Sequence, residues 1–452
     1  DTLGPLEVPA EAAPAAPAGV TTAALFRPLA AGLALQQMGT ALCYPQVPYL
    51  VLNHGGTVTD VSRVVIAGNA AAAVGSLAMG IVSDRLGRRR AMTAVTASAT
   101  ACFALLGRAG TLPQLAAARV LGGICGGLLP IAQSCISDVA SAAERPAYFG
   151  RLSAVVSLGY IVGPLLNIFM QGMLGLPIER VIQLGALLPA LSCAIIVFML
   201  PATNGKDSKE DGSGGSSIEN ERGDAAGAGK AEDVSMSAPT QSTPSRASGL
   251  GGRLRIAPEY LLLANSMFTM FALSGCIDGV YAVFLKERFG LASKALSGIY
   301  AFNGLLVGCL NVFALKHMVR ALGSHMMLVA ANVIASVGLA SIAMAQQTTL
   351  HFASFCLYIT AFSLGDVAFV SLLTSYVDSS RIGRLFGMKV ALDSMARIAA
   401  PAIASRLFQQ SQTLPFLCGA AFPLMSAVFP FTLWMRKRRA AREAETHVAV
   451  AV

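Results

Sequence analysis

Stretches of about twenty apolar residues, separated by short polar turns, recur along this chain from residue 28 to residue 435. A helix needs about 20 such residues to cross the hydrocarbon core of a bilayer. The pattern predicts twelve helices, over 28–51, 62–83, 91–108, 112–137, 148–172, 178–201, 257–286, 293–316, 324–346, 348–376, 384–408 and 412–435. Only 13% of the residues are charged, against about 25% in a soluble domain. A soluble chain with so little charge would expose too much apolar surface. Soluble, disordered, collagen-like and disulfide-scaffold classes are therefore excluded, and an all-α membrane protein of twelve transmembrane helices is expected.

Two stretches fall outside this pattern. Residues 1–24 are rich in Ala and Pro and read as a disordered tail, and 202–254, rich in Gly, Ser, Lys, Asp and Glu, as a disordered linker. The linker separates a six-helix bundle at 25–201 from a second at 255–435, and 436–452 is a basic tail. The surplus of basic residues sets the orientation. Of the 33 Lys and Arg residues, 24 fall on the side of the linker and both termini, and seven on the other. Cytoplasmic loops collect such an excess, which places the termini and the linker in the cytoplasm. The same bias accounts for the net charge of +9 without a nucleic-acid partner.

The halves repeat. Phe149, Gly150 and Pro164 fall on Phe386, Gly387 and Pro401 at one constant offset, and the loop Asp84–Gly87 falls on Arg320–Gly323. Duplicated six-helix halves are an architecture of secondary transporters, with the substrate site between the halves near the bilayer midplane.

The loop after the second helix carries Gly80, Asp84, Arg85, Gly87 and Arg88, followed by Arg89 and Arg90. Gly80 permits two helices to approach closely and Gly87 permits a tight turn. The arginines can pair with carboxylates at the membrane face, among them Asp138. The fourth helix places Arg119 ahead of four glycines, Gly122, Gly123, Gly126 and Gly127, and the fifth carries Gly159, Gly163 and Pro164.

These motifs resemble those of the major facilitator superfamily, and within it the twelve-helix tetracycline exporters. The resemblance extends to LQQMGTALCYPQVP at 35–48, ISDVASAAERPAYFG at 136–150 and ERFGLASKALSG at 287–298. It implies the major facilitator fold, a latch in the 80–90 loop that holds the halves together when the protein opens outward, and a pairing of Arg88 with Asp138. It also implies an antiporter-type motif at Gly159, Gly163 and Pro164. The chain departs from the tetracycline exporters at Gln36, where they carry Asp, and in the ninth helix, where 328–338 holds no acid.

A charge at the bilayer centre costs about 2.5–3.5 kcal/mol on insertion scales, so charges inside spans should face a cavity or a partner. Five qualify as proton-coupling or substrate candidates: Arg119, Asp278, Asp366, Asp393 and Arg397. Asp278 and Asp366 have no basic residue within a turn on their own helices, whereas Asp393 has Lys389 and Arg397 at i−4 and i+4. Gln36, Gln37, Tyr44 and Asn69 are uncharged polar candidates for the substrate cavity or for interhelical hydrogen bonds.

The expected function is secondary transport of small organic solutes by alternating access, as drug:proton antiport. A facilitative or organic-anion carrier is the alternative, and a transport-inactive receptor or scaffold is the reading from another class. No nucleophile–base pair, metal cluster or phosphate loop points to an enzyme. No cofactor or metal is expected beyond a proton gradient. The expected partners are the lipid bilayer, a small-molecule substrate and protons, and the chain is expected to act as a monomer.

Overall fold

The computed structural model describes residues 22–124, 127–141, 144–201, 257–376 and 379–451. The expected linker at 202–254 lies outside the described residues. So does the expected N-terminal tail, except for Thr22–Ala24, which form the first turn of a helix. Among the described residues every regular element is helical.

The helices form twelve rods, several of them broken. The first comprises α1 (Thr22–Cys43), a 3-10 turn (Tyr44–Gln46) and α2 (Val47–Asn53). Pro45 and Pro48 fall at that break, where each removes an N–H that a continuous helix would use. Next come α3 (Val58–Leu86), α4 (Arg88–Leu106), and a fourth rod split into α5 (Leu112–Ile124) and α6 (Leu128–Val139). α7 (Arg145–Ile168) runs into a π segment (Phe169–Met173), and α8 (Ile178–Gly185) with α9 (Leu187–Met199) closes the first half. The second half opens with α10 (Pro258–Ala272), a nine-residue π segment (Leu273–Tyr281) and α11 (Ala282–Phe289). It continues with α12 (Ser293–Phe313), α13 (Leu315–Met344), α14 (Thr348–Tyr376) and α15 (Ser379–Gln410), and ends with α16 (Leu414–Ser426) and α17 (Val428–Ala451). Among the described residues, eight stretches are long and apolar enough by themselves to cross a membrane. The protein is an integral, multi-pass membrane protein.

The two halves pack alike. In the first, α1 packs on α7 and α9, α3 on α5, and α4 on α5 and α9. The counterparts recur in the second: α10 packs on α15 and α16, α12 on α14, and α13 on α14 and α16. The loops aligned by the repeat also share a backbone conformation. Gly87 between α3 and α4 has φ 98°, and Gly323, which kinks α13, has φ 72°. Both lie in the region that favours glycine, so each turns the chain sharply from one rod to the next.

Some boundaries differ from expectation. The ninth span, predicted from 324, begins at that kink, but Leu315–Leu322 ahead of it is helical as well. The basic stretch from 436 continues α17 rather than leaving it, as its Ala, Arg and Glu residues favour.

The halves meet through two symmetric contacts, α3 with α15 and α7 with α12. At the end far from the termini this interface is sealed by polar side chains. Ser297, 1% exposed, accepts from Gln46 Nε2 at 3.1 Å and from Asn167, while Ser293 donates to Gln171 at 2.9 Å. Gln409 donates to Thr59 across the other contact. Toward the end that carries the termini, Val74, Leu77 and Ile81 on α3 and Val390 on α15 are exposed.

Candidate functional site

A cavity of about 530 Å³ lies between the halves. From the first half Tyr44, Asn69, Arg119, Tyr160 and Pro164 line it; from the second, Asp278, Tyr300, Asn303 and Arg397. Ligand pockets of transporters and enzymes are typically about 300–1,000 Å³, so the space suits a small organic molecule.

Each side chain is placed by a local feature of its helix. The break after α1 puts Tyr44 at the wall, and Arg119 of α5 stacks over its ring, 4.0 Å from the centroid. A desolvated cation–π contact of this kind is worth about 2 kcal/mol. Arg119 Nε is buried and has no hydrogen-bond partner among the described residues. The same holds for Asn303 Nδ2.

Asp278 sits in the π segment of the seventh rod. One extra residue per turn shifts the side chains relative to an α-helix, and such insertions occur often at functional sites. Arg397 of α15 approaches it, with Nη1 3.9 Å from Asp278 Oδ2. The partner that Asp278 lacks on its own helix therefore comes from another. Arg397 forms no ion pair with Asp393 among the described residues, although the two are one turn apart. Asn69 Nδ2 donates to the Arg397 carbonyl at 3.1 Å and ties α3 to α15 beside the pair.

Asp366 and Asp393 lie elsewhere. Lys389 of α15 holds both, 2.8 Å from Asp393 Oδ2 and 3.8 Å from Asp366 Oδ1, and Ser266 donates to Asp393 at 2.9 Å. These residues are not among those lining the cavity. Asp366 also proves to have a basic neighbour, again from another helix.

Gln36 and Gln37 do not line the cavity either. Residues Thr40, Ala41, Tyr44 and Pro48 form the cavity-facing stripe of the first rod. Gln36 is buried inside the first half, with its carbonyl oxygen unpartnered. Gln37 faces Gly159 of α7, where an added Cβ would lie 2.6 Å from Gln37 Cβ; at Gly163 it would lie 2.7 Å from the Met38 carbonyl. Those two glycines let α1 and α7 touch backbone to backbone, and Pro164 follows at the cavity wall.

In the loop at the terminal end, Arg88 Nε donates to Asp138 at 3.0 Å and its Nη1 to Asp84 at 2.5 Å and Ser83 at 2.9 Å. Arg85 closes α3 in its last turn. The close helix approach expected at Gly80 is absent: a Cβ there would meet nothing within 4 Å.

The polar residues Asn303 and Tyr300 of the cavity, and Gln46, Asn167 and Ser297 of the far seal, were not singled out from sequence. Their signal was polar side chains inside apolar spans, which also marks ordinary interhelical hydrogen bonds.

Comparison with known proteins follows the same lines. A family model described as Major Facilitator Superfamily matches residues 29–401. The tetracycline resistance protein, class C, of Escherichia coli is 23% identical over 355 residues, covering 77% of this chain and 80% of its own. Multidrug resistance protein 2 of Bacillus subtilis is 23% identical over 325 residues, covering 71% and 72%. Among solved structures, the human organic anion transporter MFSD10 superposes with a TM-score of 0.58 at 17% identity, over 90% of this chain and 99% of that one.

Proposed function

From a chain that belongs to the major facilitator superfamily, and is a transporter rather than an enzyme, we propose a more specific activity: export of small organic solutes by alternating access in exchange for protons. The observation that carries this reading is the Asp278–Arg397 pair at the wall of the central cavity. A pair this loose lets one carboxylate serve two partners in turn. With Asp278 ionised, its carboxylate, oriented by Arg397, can accept a donor or cationic group of the solute. With Asp278 protonated, that charge is lost and the solute is released. Proton and solute then favour different states, which is what exchange requires. Asp366 lies off this route, beside its own lysine.

In this reading the terminal end is cytoplasmic, as the basic residues of the linker and tails suggest, and the exposed apolar residues of α3 and α15 there belong to a crevice of an inward-facing state. The Arg88–Asp138–Asp84 cluster is the latch that engages the other half when the crevice closes. The protein works as a monomer in the bilayer, with a proton gradient as its only co-substrate.

A second reading is favoured by the charge of the cavity. Arg119 and Arg397 face a single carboxylate there among the described residues. An organic-anion carrier would use both guanidiniums on the solute.

The test is transport in proteoliposomes under an imposed pH gradient, with candidate drugs and organic anions as solutes. Solute movement that responds to the gradient in the wild type and ignores it in Asp278→Asn supports proton exchange. Transport indifferent to the gradient in both proteins overturns it.

A further inference from the structure

A second pocket lies inside the C-terminal half, separate from the central cavity. It is small, about 20 Å³, which is room for one water-sized particle. Its walls come from α10, α13 and α14, and its polar side chains are Asn265, Ser266, Thr269, Asn332, Tyr358 and Asp366. Nothing in the exchange mechanism above uses it.

Several hydrogens in this pocket are already committed. Ser266 donates to Asp393 at 2.9 Å. Thr269 donates to the backbone carbonyls of Asn265 and Ser266 at 3.0 Å. Asn332 Nδ2 donates to Asn265 Oδ1 at 2.7 Å. The Ser266, Thr269 and Asn332 oxygens keep lone pairs to offer. Tyr358 adds one more oxygen: the residue is fully buried, lines the pocket, and its hydroxyl has no hydrogen-bond partner among the described residues. Lys389 faces Oδ1 of Asp366, so Oδ2 is left for another partner.

The local charge points the same way. Asp366 and Asp393 share one ammonium, that of Lys389, which leaves the cluster one negative charge in excess. An uncompensated charge within a span is costly. A pocket lined with oxygen lone pairs, one particle wide and one negative charge in excess, suits a small hard cation carrying one positive charge, because hard cations take oxygen ligands. A divalent ion would overcompensate the charge. Asp366 provides the way in: its side chain is 53% exposed, on the helix that carries Ile359 and Ser363 to the central cavity.

We propose that this pocket binds a sodium ion, held by the Thr269, Asn332 and Tyr358 oxygens and the Asp366 carboxylate. The ion would bridge α10, α13 and α14 and so stiffen the C-terminal half against rocking.

The experiment is thermal unfolding of the purified full chain in sodium, potassium and choline chloride at equal ionic strength, together with direct binding of radioactive sodium. Sodium is expected to raise the melting temperature in a saturable way that potassium and choline do not match. Thr269→Val and Asp366→Asn should each weaken sodium binding at least tenfold while unfolding in choline as cooperatively as the wild type. Asp278→Asn, altered in the other cavity, should keep the sodium shift whether or not proton exchange survives. If all three salts give one melting temperature and no radioactive sodium binds, the pocket holds only water and the proposal is overturned. A sodium effect that persists undiminished in both pocket variants overturns it as well. If either variant fails to unfold cooperatively in choline, the binding measurement on the other decides.

Discussion

Asp278 and Arg397 belong to different helices of the same half, and their side chains meet 3.9 Å apart at the wall of the cavity between the halves. The carboxylate comes from a π segment and the guanidinium from a helix whose carbonyl at the same residue is bound by Asn69 of the other half. A change of charge at Asp278 is therefore felt directly at the contact between α3 and α15.

Asp278→Asn should abolish the response of transport to a pH gradient while leaving solute counterflow measurable. Arg397→Lys should fare worse than its conserved charge suggests, because an ammonium cannot reproduce the planar fork of a guanidinium. A loss of at least tenfold in gradient-driven efflux is expected for each, measured in proteoliposomes against the same solute.

One hydroxyl of the seal at the far end takes two donors. Ser297 accepts from Gln46 and from Asn167, both fully buried. Ser297→Val should leave these amides without their acceptor, at a cost of about 1–3 kcal/mol that falls on the closed far end. Spin labels placed across that end should report a shift toward longer distances, and an unchanged distance distribution would count against the seal.

Arg88 joins α4 to the ends of α3 and α6 through Asp84 and Asp138. These pairs are partly exposed, so Arg88→Ala should lower the melting temperature only slightly, consistent with about 1 kcal/mol or less per exposed pair. Transport should fall far more than stability if the cluster engages the other half during turnover. The double variant Arg88→Asp with Asp138→Arg, which restores the attraction with reversed sign, is expected to recover part of the transport rate.

Gly159 and Gly163 bring α7 against α1. Gly159→Ala would place a Cβ 2.6 Å from Gln37 Cβ, a separation that packing does not tolerate, and should cost about 1–3 kcal/mol. Gly150→Ala, on the same helix with open space around it, is the control. Size-exclusion profiles and melting temperatures of the two variants should separate clearly.

The stacking of Arg119 on Tyr44 predicts that Tyr44→Phe retains solute affinity and Tyr44→Leu does not. The loss expected is several-fold, from a cation–π contact of roughly 0.5–2 kcal/mol. Equal affinities for the Phe and Leu variants would show that the ring does not position the guanidinium.

Much of this architecture is legible in the sequence because the bilayer is a demanding solvent. Backbone polar groups have no partner in hydrocarbon, so each apolar run must be a helix, and the runs can be counted. The duplicated motif marked the two halves, and the alignment of Asp84–Gly87 with Arg320–Gly323 is matched by positive φ at both Gly87 and Gly323. Breaks within rods were less legible. The turn at Tyr44–Gln46 follows from two prolines, but the π segment around Asp278 has no such marker.

Sequence by itself determined that this chain crosses the membrane many times and that its halves repeat, and it marked five charges as candidates for the membrane interior. Only the tertiary structure decided what those charges face. Helical periodicity places Asp393 one turn from both Lys389 and Arg397, and leaves Asp278 and Asp366 without neighbours. In the folded protein Lys389 takes Asp393 and Asp366, and Arg397 goes to Asp278. The physical reason is that periodicity fixes which residues share a face of one helix but not how that helix is rotated against the next. An ion pair between two helices depends on that rotation, and the rotation is set by the packing of the whole bundle.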